Sequence, residues 1–248
     1  MSVLNKEELK ELDKIKSTYY MIPILENLHN YQVEKGLIKS LDYLHKVLDS
    51  SKESVNKLLD ERVNKGLIKD KSQARKSIVG NAFCLLVKYI LLNLKSDNII
   101  RSNIFITSNP KRHKLISNMV TIDVDGETQK PDMDLAIYSV GNDKQLHKCL
   151  IISLKTSLRE RAGQTYKWKL LLEIATSDNS IKDKYNISYK HKNMPLVGFA
   201  TVNFYDEINN PQHRGMFKFF DVAFIGKPLD ANFIQNLSKL PDFVNNNL

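Results

Sequence analysis

Two cysteines, Cys84 and Cys149, are too few for a disulfide framework and cannot by themselves build a structural zinc site. One sits in an apolar helical stretch and the other in an apolar strand-like stretch, so both read as buried, inert thiols. No run reaches the roughly 20 apolar residues that a membrane-spanning helix needs, so no membrane segment is expected. Residues 1–16 are charged throughout and carry no signal-peptide pattern, which points to the cytoplasm. The six histidines (His29, His45, His113, His147, His191, His213) show no metal-ligand spacing. There is no P-loop, no dinucleotide fingerprint and no Gly-x-Ser-x-Gly motif, so the nucleotide-dependent and serine-hydrolase classes that use them lose their usual support.

What is present is an ordinary globular composition over 248 residues, 42% hydrophobic and 26% charged, enough for a sizeable core. The length fits one large domain, or one domain with a helical extension. Net charge is +9 and unevenly placed. Residues 51–100 hold 10 Lys+Arg against 5 Asp+Glu, and residues 151–200 hold 9 against 4, while the two ends of the chain are slightly acidic. Regional excess of this kind suits a polyanion, because Lys and Arg bind phosphates with release of counterions.

Residues 1–96 have helical periodicity. Leu9, Leu12, Ile15 and Tyr19 form one apolar series, and Leu41, Leu44, Val47 and Leu48 another. A helix is expected over 54–65, and a longer, buried one over 72–94 with Ser72 as N-cap. The string Lys-Gly-Leu-Ile-Lys occurs at 35–39 and 65–69, where Gly36 and Gly66 read as helix terminators. From residue 97 the pattern turns to strands, expected over 99–106, 119–124, 134–140, 149–155, 195–204 and 217–225. A basic turn falls at 110–114, and Gly141, Asn142 and Asp143 make the turn of a hairpin joining the third and fourth strands. A helix is expected over 159–175 and a short one over 232–240, with a frayed polar tail at 245–247. Helices followed by strands with an embedded helix indicate a mixed α/β or α+β fold. The expected division is an N-terminal helical region, 1–96, and a core, 97–248, packed as one integrated unit.

The informative stretch is Lys130-Pro131-Asp132-Met133-Asp134-Leu135-Ala136-Ile137, followed by Leu150-Ile151-Ile152-Ser153-Leu154-Lys155. An acid begins one strand and a lysine ends the next. If the strands are neighbours, Asp132 and Lys155 reach the same sheet edge. A carboxylate suits Mg²⁺, and an adjacent ammonium stabilises charge on a phosphoryl group, so the pair makes a phosphodiesterase half-site. Lys155 at a strand end has a plainer reading too, as an edge lysine that discourages sheet aggregation.

The arrangement resembles the PD-(D/E)XK nuclease superfamily, with Pro131-Asp132 as the first half and Ser153-Leu154-Lys155 as the second. Ser153 departs from the pattern, since an acid normally stands there. The continuation Lys155-Thr156-Ser157-Leu158-Arg159-Glu160-Arg161 is similar to type II restriction endonucleases that cut CCGG, CCNGG or CCWGG sites. Within that group residues 155–173 look most like the BsaWI-like enzymes, with ScaI-like enzymes as another possible relative.

The resemblance covers about 130–175. It implies a restriction-endonuclease-like core, a central mixed β-sheet flanked by helices, and Mg²⁺-dependent cleavage of duplex DNA. Asp132 would be a metal ligand and Lys155 the catalytic lysine. Glu173, the acid on the following helix, would replace the missing carboxylate, and the Leu154 carbonyl would be a backbone ligand. Asp134 is the alternative second acid, because residues two apart on a strand share a face.

Arg159, Glu160 and Arg161 would read a CC/GG step, each Arg facing guanine O6 and N7 and the Glu accepting from cytosine N4. Lys167 and Lys169 would hold the DNA backbone, with Arg112, Lys114, Lys190 and Lys192 in support. Trp168 reads as a core or dimer residue. A homodimer is implied by cleavage of a palindrome, and a cognate DNA methyltransferase is the implied cellular partner. Two other readings stay open: a repair or structure-specific nuclease on the same core, and a DNA-binding protein that has lost catalysis.

Overall fold

The structure, a computed structural model, describes residues 3–108, 113–141 and 145–248, and of residues 159–162 the backbone alone. The chain begins with helices, α1 (Lys6–Ser17), α2 (Met21–Lys35), α3 (Leu44–Ser50), α4 (Lys52–Asn64) and α5 (Lys71–Ser96). A mixed α/β core follows. Its main sheet contains β1 (Ile104–Thr107), β4 (Leu135–Val140), β5 (Leu146–Lys155), β7 (Leu196–Thr201), β8 (Val222–Ile225) and β9 (Gln235–Asn236), paired in that order. The β1–β4 and β4–β5 pairs are antiparallel, and β5–β7, β7–β8 and β8–β9 are parallel. Parallel neighbours need a crossover: α7 (Arg159–Thr176) lies between β5 and β7 and α9 (Pro211–Phe217) between β7 and β8, while β8 is followed by β9 with no helix between them. A second sheet of β2 (Ile122–Val124), β3 (Glu127–Gln129) and β6 (Ile187–Ser188) is antiparallel, and the short α8 (Ser180–Lys184) leads into β6.

The main sheet is buried on both faces because its strands alternate apolar side chains to both sides. Leu135, Ile137, Leu150, Ile152 and Leu154 pack with α5, through residues such as Phe83, Leu86, Val87 and Ile90. Ala136, Cys149, Ile151, Val197 and Phe199 pack on the other side with Trp168 and Leu172 of α7. Each large aliphatic side chain so buried contributes about 1.5–3 kcal/mol.

Several expected elements shift. The N-cap of α5 is Asp70, whose carboxylate accepts from the Gln73 N–H at 2.9 Å, in place of Ser72. By length and composition α5 could cross a membrane, contrary to the expectation that no stretch could, but much of its apolar surface lies inside the protein. Of residues 99–106 only the end is strand. The expected strand at 119–124 begins late because α6 (Lys114–Met119) takes its first residue. Similarly α9 takes Phe217, and β8 begins at Val222.

The expected helix over 232–240 is instead β9 followed by a 3-10 turn (Leu237–Lys239), and α10 runs from Leu240 to Asn247. The tail is not frayed: Asn245 donates to the Ile99 carbonyl and accepts from the Arg101 N–H, and Leu248 is buried. The turn residues Asn142 and Asp143, and residues 110–112 of the basic turn, lie outside the described residues. Gly36 and Gly66 both take positive φ at helix ends, as expected.

One buried polar knot ties the N-terminal helices to the sheet. Glu8 completes a capping box with Asn5, accepting from the Asn5 N–H at 3.0 Å. Its carboxylate also takes two 2.8 Å bonds from Lys95 at the end of α5 and one from the Ile106 N–H of β1. Glu8 is 2% exposed and Lys95 fully buried. Burial outweighs the attraction of Glu8 and holds the Lys95 ammonium below its usual pKa range. Glu8→Ala removes the only charge compensating Lys95 in this knot, so it should destabilise by about 3–5 kcal/mol, measured as a fall in the urea midpoint with unchanged slope.

Candidate active site

The hairpin of β4 and β5 builds the site. Leu135 pairs with Ile152, and the Asp134 N–H donates to the Ile152 carbonyl, so the acid lies just where β4 begins. The Leu154 N–H donates back to Asp134 Oδ2 at 2.8 Å. Lys155, the last residue of β5, places Nζ 2.8 Å from Asp134 Oδ2 and 2.8 Å from Asp132 Oδ2. Asp132 and Asp134 share this face, while Met133 between them is buried in the core beside α7. The Lys155 side chain is 9% exposed, against 49% for Asp132 and 23% for Asp134. Burial disfavours the Lys155 ammonium, but the hydrogen bonds and charges of both aspartates outweigh it and raise its pKa above the usual lysine value. At neutral pH Lys155 is therefore a fixed cation and not a base. It can stabilise developing negative charge, as a preorganised charge does in any phosphoryl or acyl transfer.

The cluster opens onto a cleft of about 1850 Å³. Asp134, Leu154, Lys155, Thr156 and Ser157 line it, together with Gly163, Tyr166 and Lys167 of α7 and residues of α4 and α5. Cys84 also lines it. Desolvation pushes the thiols of Cys84 and Cys149 up to about 12, so both stay protonated, in line with the inert reading.

The remaining expected site residues fall differently. Ser153 is buried and its hydroxyl has no hydrogen-bond partner among the described residues. Glu173 does not join Asp132 and Lys155. Its carboxylate lies 2.6 Å from Lys169 Nζ, on the helix positions i and i+4. Lys169, expected at the DNA backbone, is buried and held between Glu173 and Asp221, 3.1 Å away. Burial works against its ammonium, but those two acids prevail and raise its pKa. Lys167 is exposed on the cleft. Lys114, Lys190 and Lys192 are exposed but do not line the cleft, and Arg112 is outside the described residues. Trp168 is a core residue.

The expected Mg²⁺ site is also corrected. Among the described residues no three His, Cys, Asp or Glu side chains come together to hold a metal ion. The physical reason is that both carboxylates of the cluster accept from Lys155, Glu173 is committed to Lys169, and Leu154 enters through its N–H.

Arg159, Glu160 and Arg161 form the first turn of α7, and their side chains lie outside the described residues. The start of that helix is fixed by two features the sequence does not advertise. Leu158 is fully buried, and its N–H donates to Glu207 Oε2 at 2.9 Å. Asp221, which bonds both Lys169 and the Val197 N–H, is the second missed residue. Both acids come from the β7–β8 region and carry no local motif. Lys169→Ala should destabilise by about 1.5–3 kcal/mol, the worth of hydrogen bonds to charged groups, whereas Lys167→Ala should leave thermal unfolding unchanged. A calorimetric comparison of the two variants checks this.

Comparison with known proteins agrees with this architecture. A family model described as BsaWI restriction endonuclease type 2 matches residues 95–243. A protein of Methanocaldococcus jannaschii named "Putative type II restriction enzyme MjaVIP" is 26% identical over 179 residues, covering 64% of this chain and 77% of that protein. With more than half of its length matched, and with the Asp132–Asp134–Lys155 cluster inside the match, the chain belongs to the BsaWI restriction endonuclease family.

Proposed function

We propose that the protein is a type II restriction endonuclease that hydrolyses phosphodiester bonds of duplex DNA at a short palindrome containing a CC/GG step. The observation that carries this reading is the convergence of Asp132 and Asp134 on Lys155 at the edge of an open cleft, in a chain of this family. In the proposed reaction water attacks phosphorus in line, and Lys155 stabilises the charge that builds on the pentavalent phosphorus. Asp134 holds Lys155 and the end of β5 in place. Asp132, the more open carboxylate, takes the proton of the attacking water as the P–O3′ bond breaks, a solvent water protonates the leaving 3′-oxygen, and the products carry 5′-phosphate and 3′-hydroxyl. Two carboxylates and one ammonium leave the cluster net negative, so cations on the cleft walls must draw the DNA in.

Arg159, Glu160 and Arg161 are proposed to read the CC/GG step from the first turn of α7, four to six residues beyond Lys155. Cutting both strands of a palindrome calls for a homodimer. The cellular setting is the cytoplasm, beside a DNA methyltransferase that protects the same site.

Ser153 favours a second reading, a DNA-binding protein without cleavage, because a neutral hydroxyl stands where the PD-(D/E)XK superfamily pattern has an acid. A digest of phage DNA in standard restriction buffer, with ends mapped by sequencing, separates the readings. Discrete ends at a site with a CC/GG step are expected. Specific binding that never yields cut ends would support the second reading, and smears would indicate a nuclease without a short site. Lys155→Ala and Asp134→Ala should each abolish cleavage, while Glu173→Ala should retain it. Cleavage lost in Glu173→Ala with fold intact would return that residue to the site. Arg161→Ala should lose about 1–3 kcal/mol of base discrimination per half-site, read by competition binding against duplexes differing at one base pair.

A further inference from the structure

The first half of α5 lines the same cleft as Lys155, and it precedes residue 95, where the family match begins. Gln73, Lys76, Ser77 and Gly80 stand at i, i+3, i+4 and i+7 on this helix and all line the cleft, as does Arg75 beside them. Further along this helix the side chains turn apolar and buried, so this polar stretch is a departure from the helix's own pattern. Arg75 and Lys76 are exposed, and neither has an acid partner among the described residues. Lys52, which also lines the cleft, differs, being paired with Asp49 and lying over the Phe204 ring.

The glycines add an independent observation. Among the described helices three have glycine inside them: Gly80 in α5, Gly163 in α7 and Gly215 in α9. All three line this one cleft, from three different helices. At each, an added Cβ would meet nothing within 4 Å, so packing within the protein does not require glycine. None has positive φ, so backbone conformation does not require it either. Glycine in such a place costs helix stability relative to alanine. A reason outside the folded chain remains, namely close approach of a ligand to the helix backbone.

We propose that the Gln73–Gly80 face of α5 is a contact surface for the sugar-phosphate backbone of duplex DNA. Arg75 and Lys76 neutralise phosphates, and Gly80 lets the strand lie directly against the helix. This surface positions DNA in the cleft that Lys155 lines and carries no base preference. The inference rests on the nuclease reading and extends it to residues that the motif does not include.

The test measures binding of the full-length protein to labelled duplexes, one with the mapped site and one unrelated, between about 50 and 200 mM salt. Arg75→Ala/Lys76→Ala should weaken both duplexes by the same factor, about tenfold or more at the lower salt and less at the higher. The slope of log affinity against log salt should become shallower by about 1–2, roughly one for each phosphate that is no longer neutralised. Gly80→Ala should melt at the same temperature as wild type or higher, yet bind both duplexes several-fold more weakly.

Wild-type affinity and salt slope in the double variant, or Gly80→Ala binding as tightly as wild type, would overturn the proposal. Cleavage that survives in Lys155→Ala alongside weakened binding in the α5 variants would instead overturn the catalytic assignment and leave the surface standing. A wild-type protein with no affinity for duplex DNA would remove both.

Discussion

The register between β4 and β5 is the constraint on which the site depends. Leu135 opposite Ile152 sets Asp134 beside Leu154 and lets Lys155 reach two carboxylates at once. A slip of one residue would turn Asp134 and Asp132 to the other face of the sheet and bring Met133 to the cleft. The slip is opposed by the apolar side chains on both faces, since every one of them would change sides. The hydrophobic core therefore fixes the chemistry as well as the fold. Asp134 reinforces the register by accepting from the Leu154 backbone, so the acid is held by the same strand end that it helps to hold.

What the sequence made legible was local. Period-two alternation located β4 and β5, and the short gap between them made the hairpin readable. The same alternation placed Asp132 and Asp134 on one face and kept Asp134 open as the second acid. The order of helices before strands gave the fold class. What the sequence does not show is which distant groups meet. Glu173 is an acid on the helix after the triplet, but a helix has several faces, and it pairs with the (i, i+4) lysine on its own face. Lys169 reads as a surface lysine from its neighbours and is buried, because Asp221, 52 residues away in sequence, meets it. The end of the chain is ordered for a similar reason: Asn245 is anchored by the backbone near Ile99 and Arg101, a contact that no local pattern encodes.

The buried ion pairs divide the labour in this protein. Glu8 with Lys95 joins the N-terminal helices to β1, and Lys169 with Asp221 joins α7 to the β7–β8 side of the sheet. Glu8 and Lys95 are enclosed within the protein, so either partner alone would be an uncompensated buried charge, whereas the acids that hold Lys169 remain partly open to solvent. Lys155 is likewise a buried ammonium held by acids, and it lines the cleft, where an anion can compete for it. The same chemistry is structural when enclosed and available for a substrate when one side is left open.

The carboxylate of Glu207 reaches from the segment between β7 and α9 to the Leu158 N–H at the start of α7. The orientation of that first turn is consequently set by a loop 49 residues downstream, independently of the strand that carries Lys155. Lengthening or shortening the 203–210 loop would swing the beginning of α7 without disturbing the Asp134–Lys155 pairing. The beginning of α7 and the Asp134–Lys155 pairing are thus anchored on separate parts of the chain, and a change in one need not be transmitted to the other.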